Sequence, residues 1–394
     1  MITHRQLFLH HIAPTSDSPL ALEIERAEGV YLYGTNGQQY MDLISGIAVS
    51  NLGHRHPKVV EATKTQLDQY MHLMVYGEYI QSPQVKLAKL LTDNLPENLE
   101  AVYFVNSGTE ATEGALKLAK RYTGRTELIS CVNAYHGSTH GAVSIMGSET
   151  YKNAFRPLLP DTTTIEFNNE ADIAKITDRT ACVLMEPVQG EAGVRLPENN
   201  YLQKVRARCN ETGTLLIFDE VQTGFGRTGS LFAFEQYDVV PDIITLAKGL
   251  GGGMPLGCFI SSSEILNTFT NNPILGHLTT FGGHPVCCAA SLATLEILLT
   301  EDYIQEAAAK GELFKSLLQH SEIKEVRGKG LMLAAELRDF EFNERVIKKC
   351  VEKGLITDWF LFCDNSLRIA PPLIITEDQI REACAIILES IDAC

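Results

Sequence analysis

A chain of 394 residues that is 45% hydrophobic and 21% charged can bury a large core and divide into more than one domain. Its formal net charge of −16 lacks the basic footprint that nucleic acid or an anionic membrane requires, which sets both aside as main partners. The ten cysteines follow no C-x-x-C or metal-ligand spacing, and no signal sequence or apolar run of roughly 18–20 residues stands out, so a cytoplasmic protein with reduced core cysteines is expected.

In chain order, the first clear strand signal is AVYFV (101–105). NSGTEATEGALKLAKRYTG follows, where Ala111, Ala115, Leu118, Ala119 and Tyr122 recur at helical spacing and Gly124 suits a C-terminal stop. ELIS (127–130), ACVLMEP (181–187) and TLLIFDE (214–220) read as buried strands, with YLQKVRARCNETG (201–213) as the helix before the last of them. This alternation predicts a large α/β domain over about 52–278, built on a mostly parallel central sheet. Further on, CCAASLATLEILL (287–299) reads as an apolar helix and EVRGKGLMLAAEL (325–337) as a hairpin around Gly328 and Gly330. TEDQIREACAIILESI (376–391) reads as a helix opened by a Thr376/Gln379 capping box, with Ile380, Ala383, Cys384, Ile387, Leu388 and Ile391 on its apolar face. Segments 1–51 and 279–394 together are expected to form a smaller α+β domain built from both termini.

Four features of the large domain call for one ligand. Ser107, Gly108 and Thr109 sit between a strand and a helix, where hydroxyls, free amides and the helix dipole suit a phosphate, although plain N-capping gives the same pattern. Asp219 ends an apolar strand, and a carboxylate buried there needs a cation or strong donors. Magnesium in a nucleotide-binding protein is one alternative, but the G-x-x-x-x-G-K-[ST] half of such a site is absent. Lys248 follows the strand-like run DIITLA and precedes a glycine run that lets the backbone turn beneath a bulky ligand. Tyr135 in VNAYHGSTHGA offers an aromatic face, or is an ordinary half-buried tyrosine. A phosphate cup, an acid for a ring nitrogen, a flat cover and an amine nucleophile together match pyridoxal 5′-phosphate.

The chain resembles the class III aminotransferases, pyridoxal-phosphate enzymes of fold type I. The resemblance is carried by GIAVSNLGHRHP, NSGTEATEGALKLAKRYTG, EPVQGEAGV, LLIFDEVQTGFGRTG, TLAKGLGGGMPLG, TTFGGHP and RIAPPL, in order along nearly the whole sequence. It implies that Lys248 holds the cofactor as a Schiff base, that Asp219 pairs with the ring nitrogen and that Gln222 reaches the phenolic oxygen side. Ser107, Gly108 and Thr109 would hold the phosphate. Tyr135, with His136 beside it, stands at the ring-covering position. Thr280 would reach the phosphate from a partner subunit, which implies a homodimer with a shared active site. Glu191 resembles a gate glutamate that pairs with Arg368, and Arg368 the arginine that binds the α-carboxylate of glutamate or 2-oxoglutarate. The implied activity is ping-pong transamination from an ω-amino acid like N-acetylornithine, N-succinylornithine or 4-aminobutyrate.

Two positions depart from the family pattern. Acetylornithine- and ornithine-type members carry an arginine where YHGST has Ser138, and serine cannot form a charged fork on a carboxylate. Either Arg55 or a partner residue replaces it, or the donor has no carboxylate there. Ile47 occupies the region where ornithine-type members have a tyrosine, which disfavours unmodified ornithine. His54, His56 and His136 lack the carboxylate spacing of a metal set, so no metal is expected. Glu186 either supports Glu191 or ends a strand, while Arg227 and Trp359 read as structural. A decarboxylating aminotransferase, an aminomutase or a racemase would share the cofactor site. A catalytically silent relative is disfavoured by the presence of both Lys248 and Asp219.

Overall fold

The structure is a computed structural model that describes residues 2–35 and 37–394. The apolar runs of the middle of the chain form one seven-stranded sheet. Its order is Ala101–Val105, Gly257–Ser261, Ile243–Leu246, Leu215–Asp219, Thr180–Met185, Glu127–Cys131, Thr162–Ile165. The last five pair in parallel. Thr180–Met185, Leu215–Asp219 and Ile243–Leu246 are buried at every residue, as their unbroken apolar character requires when helices cover both faces.

Within this mostly parallel sheet, Gly257–Ser261 runs antiparallel to both of its neighbours. Only the ten residues 247–256 separate it from Ile243–Leu246. A parallel return needs a crossover of a dozen or more residues, so the chain turns back instead. Two successive antiparallel steps restore the direction of Ala101–Val105. Its carboxyl end therefore shares an edge with those of the parallel strands.

The helix Gly108–Thr123 is capped by Ser107, whose side chain accepts from the Glu110 amide, and stops at Gly124 with φ 69°. Ala111, Ala115, Leu118 and Ala119 are buried. Tyr122 leaves the apolar face, because its hydroxyl donates to Glu264 at 2.7 Å and keeps the ring at the surface.

Two four-stranded sheets flank this core. One joins the hairpin Glu325–Lys329/Met332–Glu336 to Cys363–Ile369 and Trp359–Phe360. The other unites Ile24–Glu28, Tyr31–Gly34 and Gln39–Asp42 with Leu355–Ile356, so the two termini share a sheet. The Thr376/Gln379 capping box forms reciprocally at the start of Glu377–Asp392. The helix Pro285–Thr300 lies on the C-terminal side of the 278/279 division. It packs against Pro57–Gln69 and Ser82–Thr92 on the other side, since it is buried around most of its circumference.

Arg227 stitches these parts together. Fully buried, it donates to the carbonyls of Leu331 and Pro371, to Ser45 Oγ at 3.2 Å and to Asn51 Oδ1 at 2.5 Å. Burial without a directly paired carboxylate lowers its pKa to about 9, against a smaller upward pull from Asp42. All ten cysteines are free, and only Cys363 and Cys394 lie outside the buried class. Among the described residues, no helix is long and apolar enough to cross a membrane.

Candidate active site

The carboxyl ends of the strands converge on one cavity of about 560 Å³, the position where open α/β sheets bind ligands. Its wall includes Ser107, Gly108 and Thr109 after Ala101–Val105, and Tyr135, His136 and Ser138 after Glu127–Cys131. Glu186 comes from the end of Thr180–Met185, Asp219 and Gln222 from the end of Leu215–Asp219, and Lys248 from just past Ile243–Leu246. The lysine opens a short 3-10 turn at φ 48°, a left-handed value uncommon for a side-chain-bearing residue.

Lys248 Nζ makes no hydrogen bond or ion pair with the described residues. Burial lowers its pKa, and the positive charge of Arg368 adds to that, while Glu191, Asp219 and Glu186 pull the other way. The direction is toward the neutral amine, the nucleophilic form. Asp219 is buried and accepts at Oδ1 from the Val221 amide, 2.9 Å, and at Oδ2 from His136 Nδ1, 2.7 Å. An ionised carboxylate can only accept, so the His136 proton lies on Nδ1. The buried Nε2 of His136 has no partner.

At the other wall, the Gly108 and Thr109 amides open a sixteen-residue helix and have no acceptor one turn back. Gly137 closes the Tyr135–Ser138 segment onto this cup. Its φ is 127°, and a Cβ there would lie 2.2 Å from Thr109 Oγ1. Tyr135 Oη and Ser138 Oγ hydrogen-bond to each other at 3.0 Å. Glu186 accepts from the Gly190 amide through Oε1, 2.8 Å, and its buried Oε2 is unpartnered. Burial, then the charge of Asp219, raises its pKa well above the ordinary carboxylate value, which favours its neutral form.

Gln222, on the cavity wall, contacts a buried ion pair whose two members are not themselves on that wall. Arg368 Nη1 and Nη2 donate to Glu191 Oε1 and Oε2, both at 2.9 Å. Burial disfavours the Glu191 anion, but Arg368 outweighs it and brings the pKa down to about 2. Gln222 joins the pair, donating to Glu191 at 3.2 Å and accepting from Arg368 at 3.4 Å.

Other expected residues lie elsewhere in this chain. Val49, rather than Ile47, is on the cavity wall; Ile47 is half-buried in a kinked turn at φ 64°. Thr280 is exposed and away from the wall. Arg55 is exposed beside a neighbouring cavity that shares Gly253 and Met254 with the first. The Trp359 ring packs edge-on against Phe340, and its carbonyl accepts from Arg368 at 3.1 Å. His54 Nε2 is committed to Asp42 at 2.9 Å. Asp358 was not legible in advance: its carboxylate accepts from Arg368 Nε at 2.8 Å, a pairing between residues ten apart that no motif marks.

The fold and this constellation define a fold-type-I, pyridoxal-phosphate-dependent enzyme. The residues present fit that cofactor. Lys248 has an uncommitted amine, Asp219 lies buried where a protonated ring nitrogen would satisfy it, and the helix amides await an anion. The description "Aminotransferase class-III" matches residues 12–391, and the chain belongs to that family. It is 40% identical over 388 residues to the acetylornithine aminotransferase of Methanopyrus kandleri, covering 98% of this chain and 97% of that one. It is 41% identical over 376 residues to the putrescine aminotransferase of Pectobacterium atrosepticum, covering 91% and 79%. Among solved structures, the ornithine aminotransferase of Toxoplasma gondii superposes with a TM-score of 0.91 at 28% identity, covering 98% and 92%.

Proposed function

We propose that this aminotransferase moves an amino group from an ω-amino acid, of the N-acetylornithine, N-succinylornithine or 4-aminobutyrate kind, to 2-oxoglutarate, giving an aldehyde and glutamate. The observation that carries this reading is the buried, bidentate Glu191–Arg368 pair beside Lys248 and Asp219. Pyridoxal phosphate, when bound, supplies an electrophilic carbon for the donor amine and a ring that absorbs the electrons of the broken C–H bond. Asp219 keeps a proton on the ring nitrogen, and His136 steadies Asp219 through Nδ1. Lys248 Nζ, held toward its neutral form, takes the proton from the substrate carbon and returns it one position away. The amides of Gly108 and Thr109 would hold the phosphate end, and Tyr135, on the same cavity wall, would cover the ring.

Glu191 and Arg368 handle two unlike substrates. Paired, they present no net cation, so an amine remote from its α-carboxylate can enter. With Glu191 withdrawn, Arg368 offers a fork to the α-carboxylate of glutamate or 2-oxoglutarate. Arg368→Ala is therefore expected to lower kcat/KM for 2-oxoglutarate by about 10²-fold, with a much smaller loss for the ω-amine half-reaction. Stopped-flow measurement of each half-reaction checks this; parallel losses would contradict it.

A second donor class, amines without a second carboxylate, is favoured by the Tyr135–Ser138 hydrogen bond and by the resemblance to a putrescine aminotransferase. The exposed Thr280, and the exposed apolar residues Met71, Met74, Ile80, Ile274, Leu275 and Phe281, support a homodimer that completes the site from both subunits. Sedimentation equilibrium is expected to give at least twice the chain mass of 43.5 kDa. A monomer that turns over at full rate would remove the shared site.

A further inference from the structure

The guanidinium of Arg368 has five N–H donors, and five acceptor contacts surround it. Glu191 takes one hydrogen from each Nη. The other contacts come from Asp358 at Nε, Gln222 at Nη1 and the Trp359 carbonyl at Nη2. The Phe360 ring lies under the group, 4.3 Å from its central carbon. If Glu191 were the only acid, withdrawing it would strand a cation that is 4% exposed, a costly state. Asp358 prevents this, because its contact does not involve the fork.

Asp358 is itself fixed. Its backbone carbonyl accepts from the Arg368 amide at 2.9 Å, just before the short strand Trp359–Phe360 that pairs with Cys363–Ile369. Glu191 lies in the QGEAG turn; its backbone carbonyl accepts from the Phe362 amide at 3.1 Å, and Leu361 N–H donates to its Oε2 at 3.1 Å. Its carboxylate thus occupies a pocket of donors made of the two Nη groups, Gln222 Nε2 and the Leu361 amide. These are the donors an incoming carboxylate needs once Glu191 leaves.

We infer that Asp358 is a positioning residue, the permanent counter-ion of Arg368, which keeps the guanidinium paired and its two-donor fork aimed at the active site whether Glu191 or a substrate carboxylate fills it. This rests on the reading that Arg368 binds the carboxylate of glutamate and 2-oxoglutarate. Asp358 selects for carboxylate substrates by holding the fork, without touching substrate. Because Asp358 stays, the fork is near neutral when the gate is open, and recognition depends on geometry more than on net charge.

The experiment compares Asp358→Ala and Asp358→Asn in the cofactor-loaded, full-length enzyme, with Arg368→Ala as a reference. Each half-reaction is followed by the visible absorption of the bound cofactor, and folding by thermal melting. Asp358→Ala removes the acceptor at Nε. It is expected to raise the KM for glutamate and for 2-oxoglutarate about ten- to hundred-fold, with kcat and the amine half-reaction changed by less than about three-fold. Asp358→Asn keeps an oxygen at Nε but removes the charge, and is expected to raise both KM values by less than Asp358→Ala does, while still above those of the parent. Loss of both half-reactions in parallel in Asp358→Ala, or an unchanged glutamate KM, would overturn the inference. If Asp358→Ala does not fold, a glutamate KM for Asp358→Asn equal to that of the parent would overturn it instead. Should Arg368→Ala leave glutamate turnover intact, it is the carboxylate-site reading that fails, independently of Asp358.

Discussion

Replacing Lys248 by alanine is expected to lower turnover by at least about 10⁴-fold, the upper end of what one positioned proton-transfer group contributes. The loss should be this large because one side chain does two jobs. On the proposed reading its amine would hold the cofactor covalently, and the same Nζ would then move the substrate proton. Burial, which lowers the lysine pKa, serves both, since each requires the neutral amine. No nearby group can substitute. Burial pushes Glu186 toward its neutral form, Asp219 is engaged by His136 and the Val221 amide, and His136 faces Asp219. In the variant, borohydride should no longer fix cofactor to the peptide that contains residue 248. Covalent capture at that peptide, or activity within tenfold of the parent, would remove Lys248 from its role.

Asp219→Asn should have the next largest effect, a fall in kcat of about 10²–10³-fold, the scale of removing one preorganised electrostatic partner. Asparagine has nearly the same shape, and its single oxygen can accept from the Val221 amide; its NH2 then faces His136 Nδ1, which keeps the contact by accepting in the other tautomer, so the fold and the cofactor content should survive. What it lacks is the negative charge that, in the proposed function, would keep a proton on the ring nitrogen of the bound cofactor. The expected signature is an enzyme that binds its cofactor but is bleached slowly by every donor alike. Bleaching at the parent rate would show that the ring does not rely on Asp219. Selective loss with one donor would place the residue at the substrate instead.

Much of this site was legible in the sequence, because the chemistry falls on residues whose neighbours declare their placement. Asp219 follows four apolar strand residues, and Ser107 both caps a helix and ends a turn. Lys248 stands between a buried strand and a glycine run. Four of the five parallel strands were legible for the same reason, since burial on both faces leaves an apolar run, whereas the edge strand Thr162–Ile165, three threonines and one isoleucine, was not. The reversed strand Gly257–Ser261 was not, since parallel and antiparallel buried strands look alike and only the short link from Ile243–Leu246 decides between them. Tyr122 was placed by helical spacing on the apolar face, but spacing takes no account of a phenol that finds Glu264 at the surface. Asp358 meets Arg368 across an irregular strand pairing with a shifted register, which spacing rules cannot anticipate. Val49 lines the cavity in place of Ile47 because Gly46 and Ile47 both adopt positive φ and turn the chain between them.

The most direct measurement is the visible absorption of the purified protein, recorded before and after adding glutamate, N-acetylornithine, N-succinylornithine or 4-aminobutyrate in separate cuvettes. A cofactor band that glutamate and at least one ω-amine bleach, and that 2-oxoglutarate restores, is the expected result. A protein that stays colourless after incubation with pyridoxal phosphate, or a band that no amine bleaches, would contradict the assignment of Lys248 and Asp219 as the centre of a transaminating site.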